Sequence, residues 1–210
     1  MADPVELSNL FKIWWHRAGG TGDGAASAAD LIARWSTPGR AYHTVDHLAA
    51  CLRDFLPTRN LAQDHLAVEL ALWCHDAVYD PRRDDNEAVS ADLARAIAGQ
   101  VGWTAARAAR VADLVMATTH RRPPGDADAA LLIDCDFSIL GADAVDFDAY
   151  ENGIRQEYVW VDEATFRRVR AGILAKFLAR PALYNHRWFA VRYEDRARGN
   201  LRRSIASLTG

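Results

Sequence analysis

The side chains with chemical potential in this chain are histidines and aspartates. Seven histidines occur, at positions 16, 43, 47, 65, 75, 120 and 186. His43 and His47 are four residues apart, and on a helix that spacing sends both imidazoles from one face. His75 is followed directly by Asp76 at the end of the most apolar stretch, Leu66 to Trp73, where Glu69 is the only charge. A carboxylate buried there is costly unless it is paired or holds a cation. Asp134 and Asp136 flank Cys135, with Leu131, Leu132 and Ile133 before them and Phe137 after. Taken singly, each has a plain reading: a satisfied core histidine, or an aspartate capping a helix. Taken together, imidazole and carboxylate form a ligand set for Mn, Fe, Co, Ni or Zn, with Mg also compatible. Without thiolates they do not favour a closed structural zinc site.

Other site motifs are missing from the sequence. It contains no GxxxxGK[ST] phosphate loop, no HExxH, no CxxC and no GxSxG. The stretch from Gly19 to Gly24 is glycine-rich, but its spacing is not GxGxxG, and it reads as a connecting loop. Cys51, Cys74 and Cys135 each lie in an apolar segment and read as buried, reduced thiols.

The elements that must position these groups read as helices. A 3.6-residue period runs through Val45, Leu48, Ala49, Leu52 and Phe55, and again through Val89, Leu93 and Ile97. Further stripes are Phe147, Tyr150, Ile154 and Tyr158, then Phe166, Val169, Ile173 and Phe177, then Tyr193, Ala197, Leu201, Ile205 and Leu208. The segment Leu66–Trp73 is apolar almost all round and belongs in the middle of a bundle. Asp80-Pro81 is expected to stop that central helix, with Asp85 or Asn86 capping the next and Glu87 favouring its dipole. Residues Arg122 to Asp126 form a loop before another helical start. No repeat, low-complexity tract or linker divides the chain. The expectation is one all-α domain over 1–210, a helical bundle of about ten helices.

Composition narrows the classes further. Of the 210 residues, half are hydrophobic and a quarter charged, which argues against disorder. A chain of this size buries enough surface to need neither disulfides nor a structural metal. The net charge of −3 argues against nucleic acid as a partner. No run reaches the length of a membrane span, and the acidic start, with Asp3 and Glu6, does not read as a signal peptide. A cytoplasmic protein without a membrane partner is expected.

The order Tyr42-His43-Thr44-Val45-Asp46-His47, then His75-Asp76, then Asp136 resembles the HD superfamily of metal-dependent phosphohydrolases, named for its adjacent His-Asp ligands. The resemblance is nearest to a group of small bacterial predicted HD phosphohydrolases. It includes the stretch from Trp73 to Pro81, Asp85-Asn86-Glu87, Asp134-Cys135-Asp136 with Leu140-Gly141, and the tail from Glu194 to Leu201. It runs from about Arg40 to Leu201. It implies an HD-type bundle with its motif core at about 40–141 and C-terminal helices at 144–208. It also implies a metal held by one histidine, His75, Asp76 and Asp136, the last preferred to Asp134 because it stands directly before the run leading to Leu-Gly.

The first ligand is His47 or His43. The Tyr-His-x-x-x-His spacing is similar to that of cyclic-nucleotide phosphodiesterases, and on that analogy His47 binds metal and His43 donates a proton. The reverse assignment stays open. The implied reaction is hydrolysis of a phosphate ester, of a nucleotide or another small phosphorylated metabolite, by water activated at the cation, with a histidine protonating the leaving group. Asp80 orients the water or caps the chain before Pro81. Glu87 orients a ligand histidine or serves its helix end. His120, before Arg121-Arg122, is a candidate for phosphate or a second metal, and Arg155, Lys176 and Arg196 are candidates for substrate phosphate. The arginines from 187 to 203 read as a solvated face, and a homodimer is compatible with the sequence. Two other functions compete. A di-iron oxygenase of the HD type needs two histidines between the His-Asp pair and the last aspartate, and here only His120 lies there. A non-catalytic nucleotide sensor would use the same pocket.

Overall fold

The structure, a computed structural model, describes residues 2–210 and is all-helical, with no strand among the described residues. Among the described residues ten α-helices follow one another: α1 Pro4–Arg17, α2 Ala25–Trp35, α3 Val45–Thr58, α4 His65–Cys74, α5 Asn86–Gln100, α6 Ala105–Ala117, α7 Ala127–Asp136, α8 Ala144–Glu157, α9 Glu163–Leu178 and α10 Arg187–Thr209. Short 3₁₀ turns occupy Arg59–Leu61 and Phe137–Gly141. The chain forms two compact units, residues 1–135 and 136–210.

In the first unit α4 is the central helix and packs against α1, α3, α5 and α6. Every residue from Ala67 to Cys74 is buried, as its nearly uninterrupted apolar sequence requires. Asp64 caps its start by accepting the Ala67 N–H, and Arg107 of α6 clamps the same carboxylate with two bonds of 2.7 Å. Burial alone would raise the Asp64 carboxyl. The bonds and charge of Arg107, with the Ala67 N–H, outweigh burial and hold it below the usual range.

The end of α4 differs from the expectation. The helix closes at Cys74, and His75 to Asp80 form a turn well before Pro81. No proline or glycine is responsible. Arg40, from another segment, donates Nη1 to the Asp76 carbonyl at 2.7 Å and Nη2 to the Ala77 carbonyl at 2.9 Å, and so satisfies the unwound backbone. Asp80-Pro81 instead begins the next turn: the Asn86 side chain accepts from Asp80 N–H and donates to Asp80 C=O. Asp85 stands at the N-cap of α5 without a capping bond and pairs with Arg83.

Two expected stripes are met only in part. In α5 Ile97 is buried as expected while Val89 and Leu93 are half-buried, and the small residues Ser90, Ala91, Ala94 and Ala98 fill the rest of the buried face. In α9 the buried residues are Arg170, Ala171 and Leu174, while Val169 and Ile173 are exposed. Arg170 turns inward because the α8 side chains Tyr150 and Glu151 accept its guanidinium protons. Ser204 of α10 donates to the other Glu151 oxygen.

The second unit is organised around the turn that follows Asp136. Tyr184 O–H donates to the Phe137 carbonyl at 2.8 Å, and Asn200 Nδ2 donates to the carbonyls of Leu140 and Ala142. Glu194 accepts the N–H groups of Leu183 and Tyr184 and the Arg198 guanidinium. Gly141 meets α10 at its closest approach: a Cβ there would lie 2.5 Å from Tyr193 Cβ and 2.7 Å from its backbone, so only glycine fits.

Candidate metal centre

Three helices or their ends supply the groups. α3 begins at Val45, with Thr44 as N-cap accepting the Asp46 N–H, and carries His47 and, one turn on, Cys51. The C-terminal end of α4 supplies His75 and the turn after it Asp76. The last residue of α7 supplies Asp136. His43 lies outside α3, in the turn before it, so the expected pair of imidazoles on one helix face is not formed. The two rings still come to 6.0 Å, centroid to centroid, because Arg40 Nη1 also binds the His43 carbonyl and folds that turn onto residues 76–77.

His47, Cys51, His75 and Asp136 each present one ligand atom, and these atoms all lie within 4.8 Å of one another. His47 and His75 are 5% and 1% exposed, and Cys51 is buried beside them. His75 Nδ1 lies 2.9 Å from the Leu72 carbonyl. A carbonyl only accepts, so Nδ1 carries a proton and in the neutral ring Nε2 presents a lone pair. That Nε2 lies 3.2 Å from His47 Nε2 and 3.3 Å from Asp76 Oδ2. The same Asp76 oxygen is 3.9 Å from both His47 Nε2 and His43 Nε2. Asp76 thus faces three imidazole nitrogens. These donors fit a divalent transition ion: two imidazoles, carboxylate and a thiol in a buried setting, with one nitrogen's lone pair already fixed inward.

Aromatic rings surround the group. Trp35 stands 5.3 Å from His75 and 6.0 Å from His47, and its indole N–H is spent on the Trp73 carbonyl. Tyr79 stacks on His43 at 4.1 Å, and Tyr42 meets His43 edge-on at 4.9 Å. The Tyr42 hydroxyl is 2.9 Å from His47 Nδ1.

The remaining candidates have these places. Asp134 is fully buried on α7. Asp80 is exposed, and its Oδ1 accepts the Arg82 N–H, a turn-forming bond. Glu87 lies in the first turn of α5. His120 follows α6 in left-handed backbone, φ 53°, a conformation uncommon outside glycine. Arg155 closes the 158–161 loop through the carbonyls of Tyr158 and Val161 and pairs with Glu163. Lys176 and Arg196 are exposed.

Cys51 is the residue that sequence reasoning left out of the site. The signal was available, since it stands four residues after His47, one turn along the same helix face. No helix among the described residues is long and apolar enough to cross a membrane. In comparison with known proteins, no family model matches the chain, and no curated protein and no solved structure matches it.

Proposed function

We propose that the chain is a metal-dependent hydrolase of phosphate esters, acting on a nucleotide or another small phosphorylated metabolite. The observation that supports this reading is the convergence of His47, His75, Asp76 and Asp136 from three separate helix ends, in the order of the HD pattern. When bound, a divalent cation supplies Lewis acidity, polarising a phosphoryl oxygen and bringing the pKa of water towards about 7. His47 and His75 offer neutral nitrogen, and Asp76 and Asp136 offer charge to balance the ion. His43, held by Tyr79 and facing Asp76, is the proton donor to the leaving oxygen in this reading. Arg40 binds the carbonyls of both His43 and Asp76 and so ties together the two separate turns that carry them.

A second reading is favoured by Cys51. A set of two histidines, cysteine and aspartate can close a tetrahedral site and leave no position for substrate, giving a protein that holds metal without turnover. Metal analysis of the full chain, with phosphate release from a panel of nucleotides and sugar phosphates under several divalent ions, separates the two. Metal-dependent phosphate release, lost together with metal in Asp76→Ala, is the expected result. Stoichiometric metal with no release from any ester, and with thiolate charge-transfer absorption in the Co(II) form, would establish the second reading. Asp76→Ala with full metal occupancy and rate would overturn the ligand assignment.

A further inference from the structure

We propose that Tyr42 is a positioning residue: its hydroxyl holds the ring proton of His47 on Nδ1 and so presents Nε2 to the cation. The proposal rests on reading the cluster as a metal centre, and not on the identity of any substrate. The ring of His75 is oriented by the Leu72 carbonyl at 2.9 Å, an acceptor that leaves a single neutral tautomer. His47 has no such fixed arrangement. Its Nε2 faces His75 Nε2 at 3.2 Å, and its Nδ1 faces the Tyr42 hydroxyl at 2.9 Å.

A neutral imidazole that gives Nε2 to a metal must carry its proton on Nδ1, and that proton needs an acceptor when buried. The Tyr42 oxygen is placed to accept it. A hydroxyl is also able to donate, so the same contact serves the other tautomer, in which His47 Nε2–H donates to the lone pair of His75 Nε2. Tyrosine therefore satisfies His47 both with and without a cation, which neither phenylalanine nor a carboxylate could do. The thiol of Cys51, 3.8 Å from both ring nitrogens, is too weak a hydrogen-bonding group to replace it. Bonds to the far nitrogen of a ligand histidine fix its orientation and raise its basicity, and their loss typically costs 10–100-fold in metal affinity.

The ring of Tyr42 contributes separately, packing at 4.8 Å on His47 and 4.9 Å on His43. Tyr42→Phe keeps those contacts and removes only the hydroxyl. The test is an equilibrium titration of the full chain with Co(II) and Zn(II) against a competing chelator at one neutral pH. Tyr42→Phe is expected to weaken both ions about 10–100-fold, with the circular dichroism and thermal midpoint of the chelator-treated protein unchanged. In a His47→Ala background the same substitution is expected to have no further effect. Equal affinities for wild type and Tyr42→Phe would overturn the proposal, as would an undiminished effect in the His47→Ala background. Wild type that binds neither ion would instead overturn the metal-centre reading itself. A measurement that needs no variant completes the test. In the zinc-loaded wild type, long-range ¹H–¹⁵N spectra should place the His47 ring proton on Nδ1, and a proton found on Nε2 would overturn the role given to Tyr42.

Discussion

Glu69 occupies an inward position on α4, 3% exposed, among side chains that cannot solvate it. Burial pushes its carboxyl up to about 7 from 4.5, against the pull of Arg17, whose Nη1 stands 3.8 Å away, and of Arg59. A folded-state value above the unfolded one means that the folded chain keeps the proton longer. The stability this contributes is complete below pH 4.5 and is lost as pH rises towards 7. Glu69→Gln should therefore leave stability unchanged in acid and raise it by roughly 1–3 kcal/mol at about pH 8, read from urea unfolding at the two pH values. The candidate metal centre supplies a second residue-scale test. His43, outside α3 and stacked on Tyr79, should lose rate far more than metal when changed to alanine, while His47→Ala should lose metal first. Metal content and phosphate release measured on the same samples check the ranking, and the opposite order would exchange the two roles. The spacing from His43 to His47 was legible in the sequence. The break between them at Thr44 was not, because it depends on Arg40 binding the carbonyls on both sides of the site.

At the scale of elements, α9 shows where a pattern of apolar residues misleads. Its periodic stripe runs through Val169 and Ile173, yet both are exposed and Arg170 is inside. A hydropathy period excludes arginine from a core because it prices the charge without its partners. Here Glu151 and Tyr150 answer the guanidinium. Burial alone would lower the Arg170 pKa, and those two groups more than offset it and hold it above the ordinary value. Arg170→Ala leaves Glu151 without its main cation and should cost about 3–5 kcal/mol, measured by denaturant unfolding. Glu151→Gln with Arg170→Met together should cost much less, since a buried pair replaced as a whole loses no unanswered charge. Leu140-Gly141 stood out in the sequence only through the resemblance, and neither the turn at 137–141 nor its reason was legible there. Only the packing of α10 shows that a side chain at 141 would strike Tyr193 and that Asn200 holds the neighbouring carbonyls.

For the whole molecule, binding of a cation to the folded chain alone must raise its stability, because the unfolded chain does not assemble donors from α3, α4 and α7. At a free metal concentration about 100 times the Kd the gain is about 2.7 kcal/mol. The thermal midpoint should rise with added Zn(II) or Co(II) and return on chelation, and Asp136→Ala should abolish the rise. The sequence by itself determined that the chain is helical, that α4 is central and that histidine and aspartate are among the groups that could hold a cation. Those properties follow from local periodicity and from the solvation cost of side chains, both of which a linear pattern records. Tertiary structure decided which nitrogen of His75 faces the cluster, that Cys51 joins it, that Tyr42 contacts His47, and that Asp80 belongs to a turn. Those are matters of distance and hydrogen-bond direction, within a turn for the Leu72 carbonyl and His75 and between remote segments for the Arg40 guanidinium and residues 76–77, and a linear pattern of residue types records neither.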